Sequence, residues 1–234
     1  MNNIGIVTAM RIEASCITNR CLPLGEIISL GKNTSICLCG MGENSARKAA
    51  ERLQERGATS LISFGVAGAI SPTLNAGDLV LPESIYNERL LPVSLSWRNQ
   101  IQNRLPSHLR VIGGKLATCK KVLTSMSEKQ EFAKITGACA VDLESGAVAE
   151  VAEKSDMPFL AIRVISAPLE FSPPLALLDA VNPDGSTNIT QIISLLLKRS
   201  ITLSTLLRLA SEVRSARKTL SAVILHAGIE LGIK

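Results

Sequence analysis

Two carboxylate residues, Asp142 and Glu144, lie one residue apart where the apolar run 138–141 gives way to a helical pattern. A carboxylate at the end of a buried strand is costly unless another group pairs with it. Such a pair suits a binding site for hydroxyl groups. The alternative is structural: Asp142 caps the helix, and Glu144 occupies its first turn, where the helix dipole favours an acid. These two residues alone leave both interpretations open.

Three other predicted strand ends carry polar or small residues. Glu13 follows the first apolar run, the small residues 65–68 (GVAG) follow a second, and Arg163 with Ser166 lies in a third. In open α/β sheets, ligands bind beyond the carboxyl ends of the strands. We therefore expect the four strand ends to converge on one site.

The elements that position these residues follow from the alternation of short apolar runs with helical patterns. This alternation predicts an α/β fold, a three-layer α/β/α arrangement with a central mixed, twisted sheet. A strand is predicted over 60–66, and it runs into the small residues of GVAG, where a loop begins. We expect one α/β domain over residues 1–185 and a basic, amphipathic helical extension of the same domain over 186–234.

Charge and composition exclude several classes of function. Residues 186–234 hold seven basic and two acidic residues, so this segment accounts for the whole net charge of +5. With only six aromatic residues in the chain, we predict no nucleic-acid binding. The six cysteines form no CxxC pair and the two histidines lack metal-ligand spacing, so we predict reduced thiols and no metal. The expected location is cytoplasmic.

Four features, in matching order, resemble the nucleoside phosphorylase and 5'-methylthioadenosine/S-adenosylhomocysteine nucleosidase superfamily. The segment FGVAGAISPTLNAGDLVLP (64–82) resembles its glycine-containing signature, and AVDLESGAVAEVA (140–152) resembles its ribose-binding segment, usually V-E-M-E-(A/S). FLAIRVIS (159–166) resembles its R-x-I-S-D strand, and Glu13 falls where the nucleosidases keep a water-activating Glu. The resemblance covers residues 4 to about 170 and implies a phosphorylase/hydrolase-like fold.

This resemblance implies cleavage of an N-glycosidic bond, which builds positive charge on the ribose and negative charge on the leaving purine. It implies that Glu144 accepts hydrogen bonds from the ribose hydroxyls, that Leu143 packs on the sugar, and that Glu13 orients water or contacts the 5' side. Asp142 would support the strand–helix junction, and Arg163 would pair with a nearby acid. The substrate-binding candidates are Val66, Ala67, Gly68, Ser125, Met126, Asp142, Leu143, Glu144 and Ser166.

The catalytic acid of the family is the first departure. The R-x-I-S-D pattern has an Asp that can protonate the purine, but Ala167 stands at that position. General acid catalysis contributes roughly 10² to 10⁴ in rate. Three explanations are open: Glu170 reaches the base instead, the protein binds nucleosides with poor turnover, or Ala167 is a deliberate substitution.

The nucleophile and the purine contact are further departures. Val66 stands where relatives commonly have Ser, and Ser63 stands where the phosphorylases have Arg. Phosphate is possible as a co-substrate and Arg11 could contact it, but the missing contacts favour water. Ser125 and Met126 stand where relatives place an aromatic residue against the purine. The resemblance implies no bound cofactor.

A narrower resemblance involves DLES, RVIS followed by a proline, PPLALL, PDG and the basic tail. These features resemble the hopanoid-associated phosphorylase family, which is linked to the removal of adenine from adenosylhopane. They imply an adenine nucleoside, free or lipid-linked, as substrate; a methylthioadenosine/S-adenosylhomocysteine nucleosidase and a nucleoside-binding protein are the alternatives. The superfamily also implies a homodimer.

The amphipathic pattern of the tail, over 203–227, has two interpretations. The helix packs on the domain or a partner subunit, or it lies on a membrane surface as an amphipathic helix whose polar side is basic. The second interpretation predicts peripheral membrane contact through residues 190–234.

Overall fold

The computed structural model describes residues 3–172, 174–178, 180–182, 184–186, 188–228 and 231. Within these residues, eleven strands form one sheet. The strands are β1 (Ile4–Thr8), β2 (Ile27–Ser29), β3 (Thr34–Leu38), β4 (Ser60–Ala69), β5 (Leu79–Val80), β6 (Ser84–Asn87), β7 (Arg89–Pro92), β8 (Val111–Ile112), β9 (Lys115–Thr118), β10 (Ala140–Asp142) and β11 (Phe159–Ala167). The helices are α1 (Arg11–Ala14), α2 (Glu43–Glu55), α3 (Leu95–Gln102), α4 (Met126–Thr136), α5 (Ser145–Lys154), α6 (Leu175–Leu178), α7 (Ile189–Leu197) and α8 (Leu203–Ala227).

The sheet is mixed. Its main path runs β2-β3-β1-β4-β10-β9-β6-β7, and β11 joins β4 to β5, which continues to β8. The pairs β1–β3, β1–β4 and β4–β11 are parallel, whereas β4–β10 and β5–β11 are antiparallel. Helices α2 and α5 pack on each other and on β1 and β4, and α8 packs on β11. The predicted α/β fold with a mixed central sheet is confirmed.

Strand β4 is longer than the sequence pattern predicts. GVAG forms the second half of the strand, which ends only at Ala69. Its backbone pairs with β11 along one edge, and Gly68 and Ala69 pair with β10. A run of small residues is compatible with a strand when neighbours on both edges satisfy its backbone groups, and local sequence does not reveal those neighbours.

Helix α8 buries one face against the sheet. Ala216, Leu220, Val223 and Ala227 follow a helical spacing and are all buried. The same helix donates two side-chain hydrogen bonds to the loop before β5, from Ser215 Oγ to the Ala76 carbonyl at 3.3 Å and from Thr219 Oγ1 to the Gly77 carbonyl at 2.9 Å. Within the described residues, no helix is long and apolar enough to cross a membrane.

Candidate active site

The end of β10 and the residues after β1 meet the middle of β4 and of β11 around the buried guanidinium of Arg163, which is only 1% exposed. Because β10 runs antiparallel to β4, the carboxyl ends of the four strands do not converge at one edge of the sheet as expected. Its Nε donates to Asp142 Oδ2 at 2.7 Å, and its Nη2 donates to Ser63 Oγ at 2.6 Å. Nη2 also lies 3.8 Å from Glu144 Oε2. Burial acts to lower the pKa of Arg163, but Asp142, Glu144 and Glu13 together raise it above its ordinary value. We call Glu13, Asp142, Glu144 and Arg163 the carboxylate cluster.

Asp142 is fully engaged within the protein. Its Oδ1 accepts hydrogen bonds from Thr118 Oγ1 at 2.8 Å, from the Ser145 amide at 3.2 Å and, more weakly, from the Glu144 amide at 3.4 Å. Its Oδ2 holds Arg163. The carboxylate therefore joins β9 and β11 to the start of α5, which agrees with a structural role at this junction.

Glu13 joins the ends of β1 and β4. Its Oε2 accepts hydrogen bonds from Thr8 Oγ1 at 3.0 Å and from the amides of Ala9 and Met10 at 3.0 and 2.9 Å. Its Oε1 accepts one, from the Val66 amide at 2.8 Å. A carboxylate oxygen has two lone pairs, so Oε1 can accept one further hydrogen bond from water or a ligand.

Glu144 differs from the other two acids because it is buried but sparsely paired. Within the described residues it accepts one hydrogen bond, from the Gly42 amide to Oε1 at 2.9 Å. Burial raises the pKa of Glu144 to about 7, with Asp142 acting in the same direction and Arg163 opposing it. A carboxylate offers about four acceptor positions, so Glu144 retains capacity for two hydroxyl donors.

Gly65 makes this arrangement sterically possible. A Cβ at this position would overlap with Glu13 Oε1 and with Arg163 Nη1. The groups that approach the backbone at Gly65 are therefore side chains of the protein itself. Two neighbours of Arg163 were not predicted: Ser145 Oγ donates to Ser63 Oγ at 3.1 Å, and both serines are fully buried. The signal for Ser63 is a hydroxyl in an otherwise apolar run, and Ser145 directly follows Glu144 in the sequence.

The other strand-end candidates lie near the cluster. Val66, Ala67 and Gly68 are part of β4, and Leu143 is partly buried between Asp142 and Glu144. Ser166 lies at a register shift of β11, and Ala167 pairs with Gly68. The position of the family acid is therefore beside GVAG.

Three candidates contribute no polar contact to the cluster among the described residues. Ser125 caps α4, where its Oγ accepts the Glu128 amide at 3.2 Å. Met126 is 46% exposed, and Glu170 is exposed after the end of β11. Ser125 is thus engaged as a helix cap in this structure.

Arg11, the candidate phosphate contact, is engaged away from the cluster. Its Nε donates to Asp184 Oδ2 at 2.6 Å and its Nη1 to the Leu22 carbonyl at 3.2 Å. The hydrogen bond that Arg11 donates to Asp184 raises the pKa of Arg11, so the side chain is a cation with an acid partner already in place.

The sequence matches known proteins over most of its length. Residues 22–198 match the family model described as the Phosphorylase superfamily. The chain is 22% identical over 194 residues to a 5'-methylthioadenosine/S-adenosylhomocysteine nucleosidase of Staphylococcus aureus, covering 70% of this chain and 85% of the relative.

Solved structures share the fold at low identity. A nucleosidase of that name from Neisseria meningitidis, in complex with methylthio-immucillin-A, superposes with a TM-score of 0.72 at 15% identity and covers both chains completely. The futalosine hydrolase of Helicobacter pylori superposes with a TM-score of 0.68 at 17% identity, covering 95% of this chain and 97% of that one. Because the family match spans more than half of its residues, the chain belongs to the phosphorylase superfamily.

Proposed function

We propose that this protein binds an adenine nucleoside and cleaves its N-glycosidic bond with water. The observation that carries the proposal is Glu144, a buried carboxylate with unused acceptor capacity beside Arg163 and Asp142. An oxocarbenium-like transition state makes the ribose hydroxyls better donors, and hydrogen bonds that strengthen there accelerate the reaction. The similarity to methylthioadenosine/S-adenosylhomocysteine nucleosidases and to a futalosine hydrolase supports the same class of bond cleavage.

The roles of the cluster follow from its hydrogen bonding. Glu144 binds the ribose hydroxyls, and Leu143 packs on the sugar. Glu13 orients the attacking water through Oε1, the oxygen with one bond from the Val66 amide. Arg163 and Asp142 hold the junction that carries Glu144, whereas the amides of Ala9 and Met10 hold Glu13.

Water is the proposed nucleophile because the possible phosphate contacts are engaged elsewhere. Ser63, at the position of the phosphorylase Arg, is buried against Arg163. Arg11 is paired with Asp184.

Protonation of the leaving purine requires an acid, and the position of the family's acid holds Ala167 in this chain. Ala167 has no proton to donate, so the acid is Glu170 or the reaction proceeds without one. Loss of general acid catalysis lowers a rate by roughly 10² to 10⁴. The second candidate function, a nucleoside-binding protein with little turnover, rests on Ala167.

The first experiment measures adenine release from methylthioadenosine, S-adenosylhomocysteine and an adenosylhopane analogue, with and without phosphate. The chain is compared with its Ala167→Asp and Glu170→Gln variants. We expect release without phosphate, a gain of at least tenfold for Ala167→Asp, and a loss for Glu170→Gln. Tight binding with release only by Ala167→Asp favours the binding protein, and no binding by either form contradicts the proposed site.

The choice among these substrates tests the narrower proposal that the nucleoside is adenosylhopane. That proposal rests on the resemblance of the DLES, PPLALL and PDG segments to the hopanoid-associated family. Preference for the two sulfur-containing nucleosides would favour the alternative nucleosidase function.

We also propose a homodimer, which sedimentation velocity of the purified chain would test.

We propose further that the tail contacts a membrane surface, through α7 and the first turns of α8. The apolar face of α8 that its sequence suggested for lipid is buried against the sheet. Large apolar side chains that are at least half exposed follow helical spacing before and at the start of that helix: Ile189, Ile193, Leu197, Leu203 and Leu207. Residues 186–211 contain three basic residues and no acid, which favours an anionic lipid surface.

Flotation with vesicles of phosphatidylcholine and phosphatidylglycerol tests this contact. Leu197 and Leu225 form a matched pair, because they are 80% and 78% exposed but only Leu197 lies in α7. We expect Leu197→Asp to reduce flotation at least threefold and Leu225→Asp to leave it unchanged. Equal flotation of both variants would place the contact elsewhere, and absence of flotation by the unmodified chain would contradict it.

A further inference from the structure

A buried lysine lies under the loop that follows β11. Lys129, in the first turns of α4, is 3% exposed. Its Nζ donates to the carbonyls of Pro168 at 3.1 Å, Leu169 at 3.3 Å and Phe171 at 2.9 Å. An ammonium group has three N–H donors, so one group matches all three carbonyls.

The position is unfavourable for a lysine by local criteria. The Ser125–Glu128 capping box begins α4 just before Lys129, so the cation lies near the positive end of the helix dipole. Burial disfavours the charge and lowers the pKa of Lys129, while Glu212 on α8 opposes this shift. Glu212 in turn accepts a hydrogen bond from Arg208 Nε at 3.0 Å. Helix stability therefore does not explain a lysine at position 129. Its hydrogen bonds to the three loop carbonyls do explain it.

The loop that Lys129 holds begins one residue after Ala167. Two of the bonded carbonyls, those of Leu169 and Phe171, belong to the residues on either side of Glu170. The Phe171 ring is covered by the guanidinium of Arg208, whose Cζ lies 4.5 Å from the ring centroid. The loop is thus attached to α4 on one side and to α8 on the other, and the Glu170 side chain extends from between these attachments into solvent.

We propose that Lys129 is a positioning residue, whose ammonium group fixes the 168–171 loop and, through it, the backbone on both sides of Glu170. Without the ammonium group the buried carbonyls of Leu169 and Phe171 lose the donor that Lys129 supplies, which is unfavourable, whereas the Pro168 carbonyl keeps the Phe171 amide at 3.1 Å. The loop then moves to reach water. The catalytic part of this inference rests on the proposed function, in which Glu170 is the candidate acid that protonates the purine.

Hydrogen exchange tests the loop without any ligand. We expect Lys129→Met, which keeps the length of the side chain, to accelerate exchange of the amides of residues 169–172 at least tenfold while α5 stays unchanged. Lys134→Met is the matched control, because Lys134 is an exposed lysine of the same helix. Equal exchange of the loop in both variants would overturn the proposal.

Chemical rescue separates positioning from simple packing. In Lys129→Ala, n-propylammonium can replace the removed part of the side chain, and n-propanol has a similar size without the charge. We expect the ammonium compound to restore slow exchange in the loop and the alcohol to fail. Equal restoration by both would mean that the side chain acts by filling space, which contradicts the proposal.

A double-mutant cycle tests the link to Glu170. If Lys129 acts through Glu170, Lys129→Met and Glu170→Gln lower kcat for adenine release non-additively, so that the double variant is about as slow as the slower single one. If the two losses in kcat multiply in the double variant, Lys129 does not act through Glu170. The hydrogen-exchange result for the loop would not be affected. Failure of the unmodified chain to release adenine would contradict the proposed function, whereas the exchange experiment would still decide the role of Lys129 in the loop.

Discussion

Hydrogen-bond capacity distinguishes the three acids at the residue scale. Glu13 and Asp142 each accept four hydrogen bonds within the protein, whereas Glu144 accepts one among the described residues. The sequence offers both a structural and a binding interpretation for Asp142 and Glu144. The structure supports a different interpretation for each, because the strand end directs Asp142 to Arg163, while one Glu144 oxygen has no hydrogen-bonded partner among the residues that the structure describes.

The pH dependence of stability follows from Glu144. Its pKa is about 7 in the folded protein, against an ordinary value of 4.5. The unfolded chain therefore loses this proton at lower pH than the folded chain, and the contribution to folding falls as pH rises from about 4.5 to about 7. The shift corresponds to at most about 3 kcal/mol. We expect urea unfolding to show this decline in the unmodified chain and not in Glu144→Gln, with the exposed-residue variant Glu51→Gln retaining it.

Ligand binding should follow the opposite trend with pH. The ionised carboxylate accepts hydrogen bonds better than the protonated one, so affinity for methylthioadenosine should rise as Glu144 ionises. We expect calorimetric titration to give a Kd several-fold lower at pH 8 than at pH 6. The dependence should vanish in Glu144→Gln, and an unchanged dependence in that variant would assign it to another group.

Gly65 provides a steric test of the cluster. A methyl group there overlaps with Glu13 and Arg163, both fixed by buried hydrogen bonds, so neither can move without losing partners. We expect Gly65→Ala to lower the free energy of unfolding by about 2–4 kcal/mol, as overpacking of a buried site does. Gly31→Ala is the control, since a Cβ at Gly31 meets no atom within 4 Å. Equal stability of the two variants would contradict the crowding.

At the scale of elements, sequence periodicity predicts the strands and helices that local contacts determine. It does not predict the ends of elements that depend on neighbours distant along the chain. The strand before GVAG and the helix after Glu144 follow from apolar runs and spacing in the sequence. The continuation of β4 to Ala69 depends on β10 and β11, which lie more than 70 residues away along the chain. The sequence also assigns Ser125 by its place in a family pattern, whereas its hydroxyl is held by the first turn of α4.

The role of Ser125 can be measured as a helix-cap effect. It accepts the Glu128 amide and completes a capping box, so Ser125→Ala should destabilise the protein by about 1 kcal/mol. The effect on KM for methylthioadenosine should be less than twofold if the hydroxyl serves only α4. A large rise in KM with unchanged stability would instead support the purine contact that the family pattern suggests.

At the scale of the whole molecule, α8 links the basic tail to the sheet. Its buried face packs on β11, the strand that carries Arg163, and its Arg208 covers Phe171 in the loop held by Lys129. In the tail, α8 thus packs against the strand and the loop next to the site, while α7 exposes apolar side chains. Amphipathic spacing could not choose between these uses, because the same pattern serves a helix on a sheet and a helix on lipid.

The contribution of α8 to folding gives the last prediction. Leu220 is 1% exposed and Leu225 is 78% exposed on the same helix, so the same substitution at both isolates burial from helix propensity. We expect Leu220→Ala to lower the free energy of unfolding by about 2–5 kcal/mol, the usual cost of truncating a buried leucine. Leu225→Ala should change it by less than about 0.5 kcal/mol. Urea denaturation measures both, and a small effect at Leu220 would mean that the tail folds independently of the sheet.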